Sequence, residues 1–160
     1  MLRIPNTTLD VHPLYLGGNV FGWSADREES FAVLDAYVAA GGNFIDTADV
    51  YSEWVPGHRG GESETIIGEW MRSRGNRDDV VLATKVAKLS TRRGLGRDNI
   101  RAAIDDSLQR LQTDYVDLYY AHEDDATTPL EETLATFAEL IAEGKVRHIA
   151  ASQYGASRLA

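Results

Sequence analysis

Short apolar runs recur along this chain, and each closes on glycine or a polar residue. Leu14-Tyr15-Leu16 leads into Gly17-Gly18, Asn43-Phe44-Ile45 into Asp46, Val80-Val81-Leu82-Ala83 towards Lys85, Tyr115 to Ala121 into His122, and Val146 to Ala151 into Ser152. Their continuous rather than alternating character predicts strands buried on both faces. Between them the apolar spacing becomes helical: Phe31, Leu34 and Val38; Ile100, Ile104, Leu108 and Leu111; Leu130, Leu134, Phe137 and Ile141. Steps of three and four residues place each set on one helix face, the face expected to be buried. Glu62 to Arg74, with Ile66, Ile67, Trp70 and Met71, adds a helix after the second strand. Thr128 and Glu131 around Pro129 read as a capping box, and Gly41, Gly75 and Gly144 sit where helices end.

Strict alternation of strands and helices predicts an α/β chain with a parallel sheet and right-handed crossovers. An open dinucleotide-binding sheet and a (β/α)8 barrel both begin this way. The first carries G-x-G-x-x-G after its first strand, whereas Leu16-Gly17-Gly18-Asn19-Val20-Phe21-Gly22 has a different spacing. A barrel distributes its chemistry over the C-terminal ends of many strands, and there Asp46, Tyr51, Lys85 and His122 fall. The expected fold is of TIM-barrel type, with about the first five strands and four helices present. Residues 3–11, turning at Asn6-Thr7, read as a hairpin over the barrel floor, and residues 1–160 as the N-terminal portion of one barrel domain. A closed barrel takes about 250 residues. Two parallel edges and the inner sheet face are therefore expected to be covered by the rest of a longer or cleaved enzyme, by a complementary chain, or by a second copy.

Charge narrows the partners. A net charge of -9, from 16 Lys and Arg against 25 Asp and Glu, argues against nucleic acid and anionic membranes and leaves small neutral substrates open. The absence of cysteine excludes disulfides and thiolate metal sites. No apolar run approaches the ~18 residues of a membrane span, and Met1-Leu-Arg-Ile-Pro is unlike a signal peptide, so a cytoplasmic location is expected. His12, His58, His122 and His148 lack ligand spacing and Glu123-Asp124-Asp125 reads as a solvated loop, so no metal is expected. Taken singly, Asp46 could cap a turn, Tyr51 line a rim, Lys85 reach out of a strand end and His122 satisfy a loop carbonyl. Together, on neighbouring strand ends, they point to a site.

The segment Gly42-Asn43-Phe44-Ile45-Asp46-Thr47-Ala48-Asp49-Val50-Tyr51 resembles the second-strand signature of the aldo-keto reductase family. The resemblance continues through Gly61-Glu62-Ser63-Glu64, Ala83-Thr84-Lys85-Val86, Asp114 to Tyr119, Pro129 to Thr133 and Gly144-Lys145-Val146-Arg147, covering nearly the whole chain. It implies reversible, NADPH-dependent reduction of aldehydes or ketones, with NADH left open as an alternative. Tyr51 would be the proton donor, Lys85 and Asp46 the pair that lowers its pKa from about 10, and His122 the group that orients the carbonyl. Cofactor contacts would come from Gly18, Asn19, Asp46, Ser152 and Gln153, with Gln153 replacing the family's usual Asn. Trp23, Trp54 and Glu123 would border the substrate, Glu123 standing where relatives often have an aromatic residue. By the same resemblance, the aromatic that stacks on nicotinamide and the basic loop for the 2'-phosphate belong to later strands. A non-catalytic binding module, or an inactive fragment, is the competing expectation.

Overall fold

The computed structural model describes residues 1–159. Leu2–Arg3 (β1) and Asp10–Val11 (β2) pair antiparallel, as the floor hairpin requires, and Asn6 takes a left-handed φ of 60° in the turn. Leu9 and Val11 pack on Val81 and Phe44 at the N-terminal ends of the sheet strands. Asn43 ties the two layers together, accepting from His12 N at 2.8 Å and donating to Asp10 O at 2.9 Å.

β3 (Leu16–Gly17), β4 (Phe44–Asp46), β5 (Val81–Val86), β6 (Val116–Ala121) and β7 (Val146–Ala151) form one five-stranded parallel sheet in chain order. α1 (Arg27–Ala39), α2 (Glu62–Arg74), α3 (Arg97–Leu111) and α4 (Leu130–Ala142) connect them, and a short α5 (Ala156–Leu159) follows β7. This is the expected α/β architecture of a partial barrel. Leu34, Ile67, Trp70, Ile100, Ile104, Leu111, Tyr119 and Leu140 fill the layer between sheet and helices, all of them essentially without exposure. α2 and α3 meet at Gly68, where a Cβ would run into the backbone of Arg110 and Leu111. Asp117, buried at the opposite end of β6 from the site, accepts from Arg77, Arg147 and Leu82 N at 2.8, 2.8 and 2.9 Å, and the two guanidinium groups sandwich the Tyr115 ring.

Three local expectations are corrected. α4 buries Thr133, Thr136, Phe137 and Leu140, while Leu134 and Ile141 stay 47% and 41% exposed. Its threonine hydroxyls can go inward because Thr133 donates to Leu95 O and Thr136 to Glu132 O. Thr128 caps nothing: its hydroxyl goes to Asp125, and Pro129 stands at the N-cap without a side-chain bond. The capping box forms instead at α1, where Asp26 and Glu29 exchange bonds of 2.9 and 3.0 Å. Finally, β3 and β7 are not buried on both faces. They are the sheet's edges, and β7 alternates along its length with Ile149 37% exposed. Among the described residues no helix is long and apolar enough to cross a membrane.

Candidate active site

Strand alternation decides which side chains meet. On β5, Thr84 points outward to α2 and Lys85 inward, beside its register partner Tyr120 on β6. Asp46 ends β4 on the same inner face. The loop that follows is folded back by Thr47 N to Ala83 O, Asp49 N to Lys85 O and Tyr51 N to Ala48 O, at 2.9, 3.3 and 3.2 Å. Ser52 holds it there, in a left-handed conformation with φ 72°, by donating to Phe21 O at 2.8 Å. Residues distant in sequence thus converge. Lys85 Nζ donates to Asp46 Oδ2 at 2.6 Å, Thr47 O at 2.7 Å and Tyr51 Oη at 2.9 Å.

These three bonds use all three donors of an ammonium. Tyr51 therefore accepts from Lys85, and its own hydrogen has only Asp46 Oδ2 at 3.4 Å, long for an O–H···O bond. That hydrogen is thus only loosely held. His122 stacks edge-on to Tyr51 with ring centroids 6.0 Å apart. Its Nδ1 is buried without a partner. A proton there would be a buried donor with no acceptor, so the Nε2–H tautomer is favoured and presents a donor to the cavity. Burial, then the Lys85 and Lys88 charges, push the His122 pKa down to about 4, so the ring is neutral at physiological pH.

Burial lowers Lys85 from its ordinary value against the opposing pull of Asp46, and raises Asp46 against the pull of Lys85. The expectation that Lys85 depresses the Tyr51 phenol is not met. Burial first, then the Asp46 carboxylate, push that phenol well above its ordinary value. The ammonium charge is already matched by Asp46 at 2.6 Å, so the phenol sits beside a neutralised pair.

A cavity of about 320 Å³ opens above this cluster, lined by Asp46, Tyr51, Lys85 and His122 together with Tyr15, Phe44, Tyr120 and Ser152. Of the other residues singled out from sequence, only Ser152 reaches it. Gln153 turns away in a left-handed conformation with φ 57° and donates to His122 O at 3.4 Å. Gly18 is a joint between β3, β4 and α2: its amide donates to Asp46 O, its carbonyl accepts from Ser63, and a Cβ would stand 2.8 Å from Ser63 Oγ. Asn19 is exposed beside it. Trp23 and Trp54 pack edge to face at 5.6 Å, and Trp54 continues to Tyr51 at 6.3 Å, so an exposed indole wall borders the phenol. Glu123 is paired with Lys88 at 3.5 Å.

Sequence reasoning missed Tyr15, Phe44 and Tyr120, although period-two alternation from Asp46, Lys85 and His122 would have placed Phe44 and Tyr120 on the inner face. It also missed the polar layer behind β5. Glu64 has no exposure and is held by Arg110 at 2.7 Å and Thr84 at 2.5 Å, while Asp49 is buried nearby with neither carboxylate oxygen bonded.

Residues 13–160 match the model of the aldo/keto reductase family. Norsolorinic acid reductase B of Aspergillus parasiticus is 41% identical over 92% of this chain and 41% of its own length. An NADP(+) aryl-alcohol dehydrogenase of Phanerodontia chrysosporium is 38% identical over 92% of this chain and 42% of its own. An uncharacterized 11.2 kDa protein of Pseudescherichia vulneris is 56% identical over 53% of this chain and 84% of its own. The chain spans about two fifths of the length of the two reductase-type relatives.

Proposed function

The chain belongs to the aldo/keto reductase family, and from that premise we propose that it carries the proton-transfer site of an NADPH-dependent reductase of aldehydes and ketones. The observation that carries this reading is the Lys85 ammonium, fully satisfied by Asp46, Thr47 and Tyr51, with the Tyr51 hydrogen left loosely held at the floor of an aromatic cavity. Family likeness to a norsolorinic acid reductase and an aryl-alcohol dehydrogenase supports an oxidoreductase acting on carbonyl and alcohol groups.

Carbonyl reduction builds negative charge on oxygen, which needs positioned donors. Tyr51 Oη holds the proton to be given up. The phenolate left behind keeps its bond from Lys85 Nζ at 2.9 Å, so a donor already in place receives the new charge. His122, neutral and carrying its hydrogen on Nε2, orients the carbonyl oxygen without competing as an acid. Tyr15 and Phe44 in the cavity lining, with the Trp23–Trp54 wall beside Tyr51, offer apolar surface to an apolar carbonyl compound.

A nicotinamide bound here would supply the hydride. The residues fit its ring: Ser152 offers a hydroxyl at the end of β7, and the aromatic lining suits a flat heterocycle. Gly18 and Gln153 hold the frame, as their backbone and side-chain bonds to Asp46, Ser63 and His122 allow. NADPH oxidation at 340 nm with a nitrobenzaldehyde tests the reading, with Tyr51→Phe as control. Turnover unchanged in Tyr51→Phe would sink the mechanism.

The open edges β3 and β7 favour a second reading, in which these residues bind a partner chain without turning over substrate. Light scattering on the purified chain separates the two: a non-associating monomer with NADPH turnover leaves no place for it.

A further inference from the structure

Lys85 is flanked by two phenol rings. Its Nζ lies 4.7 Å from the Tyr51 ring centroid and 5.8 Å from that of Tyr120. Tyr120 is the residue directly opposite Lys85 in the β5–β6 register, so parallel pairing, rather than a flexible loop, sets their separation. Tyr120 also lines the cavity above Asp46, Tyr51 and His122. We infer that Tyr120 is a positioning residue whose ring face holds the Lys85 ammonium against Asp46 and Tyr51. A cation over an aromatic face is stabilised within about 6 Å of the centroid, more so where water is excluded, and Lys85 is 7% exposed.

The remaining surroundings of Lys85 explain why such support matters. Asp46 and Thr47 O face it from β4 and its loop, Tyr51 from the same loop, and His122 from the end of β6 without charge. Asp49 and the α2 residue Glu64 act on it from behind β5. One carboxylate is in contact, while burial works against the charge. The Tyr120 ring adds attraction without adding a negative charge that would repel the developing phenolate.

This deepens the proposed function and rests on it for the catalytic consequence, but Lys85 protonation can be read without turnover. The chain has three lysines, Lys85, Lys88 and Lys145. Labelling with ε-13C-lysine, and assignment through Lys88→Arg and Lys145→Arg, isolates the Lys85 signal for pH titration. Tyr120→Leu is expected to lower the Lys85 midpoint by about half a pH unit, Tyr120→Phe to leave it in place, and Tyr120→Trp to raise it. An unmoved midpoint in Tyr120→Leu, or an equal drop in Tyr120→Phe, would overturn the inference. The alkaline limb of kcat/KM for aldehyde reduction should move with the midpoint. Absence of turnover in the native chain counts against the reductase reading alone, since the titration still decides the role of Tyr120.

Discussion

Asp49→Asn should stabilise this chain more at alkaline pH than at acid pH. Asp49 is 1% exposed and neither of its oxygens is bonded. Burial, and then the Glu64 carboxylate, push it up to about 7 from 3.8, against the opposing charges of Arg110 and Arg92. A carboxyl raised in this way keeps its proton in the folded chain after the unfolded chain has lost it. Its contribution to stability is complete below the unfolded pKa, falls as pH rises towards 7, and is flat above. The interval from 3.8 to about 7 corresponds to about 4 kcal/mol in all. About 2 kcal/mol of it is lost between pH 5.5 and 8 by the same linkage. Asn has nearly the same shape and does not titrate, so ionisable groups that do not interact with Asp49 cancel in the difference between variant and native chain. For a chain of this length about 2 kcal/mol is roughly 4–8 °C in Tm. Thermal melts of both proteins at pH 5.5, 6.5, 7.5 and 8 give the series, and any fixed cost of burying the amide appears as a constant offset. A difference constant to within about 0.5 kcal/mol across that range would refute the reasoning, because Asp49 would then ionise alike in folded and unfolded chains.

Three further outcomes are expected. Histidine ring NMR should find His122 titrating near 4, below its ordinary 6.5 because of burial and the Lys85 and Lys88 charges, and a midpoint at 6.5 would mean that the ring is solvated. Arg110→Ala should cost about 3–5 kcal/mol by urea unfolding, since it leaves Glu64 fully buried with only Thr84 as partner, whereas a loss below about 1 kcal/mol would place that pair in solvent. Ala87→Gly should stabilise by about 1 kcal/mol, because Ala87 holds φ 122° just after β5, and any loss of stability would argue against strain at that position.

The parts of the fold that were legible from sequence are those set by local pattern. The helix Glu62–Arg74 is legible with both ends in place from Ile66, Ile67, Trp70 and Met71 and from Gly75, which closes it in a left-handed conformation. The β6 and β7 runs were likewise read to within a residue. α4 misled because its exposed Leu134 and Ile141 are as apolar as its buried Phe137 and Leu140, and threonine is an uncertain marker of either face. Leu130 and Leu134 instead border a groove with Ile149, Tyr154 and Leu159 beside the open edge of the sheet.

For the site, identity and conformation separate. Asp46, Tyr51, Lys85 and His122 stand out in sequence only as a set, because each alone has a structural reading and their joint placement at or just beyond neighbouring strand ends does not. Proton ownership did not follow from their types. Lysine beside tyrosine suggests a depressed phenol, yet the desolvation of Tyr51 and then the Asp46 carboxylate push it upward. The order of strands and helices and the four polar ends come from continuous apolar runs and the 3.6-residue period, which every short stretch of chain carries within itself. The register that sets Tyr120 opposite Lys85, the tautomer of His122 and the unbonded carboxyl of Asp49 depend on distances between segments 30 to 70 residues apart. Burial and charge act through those distances, and no local pattern contains them.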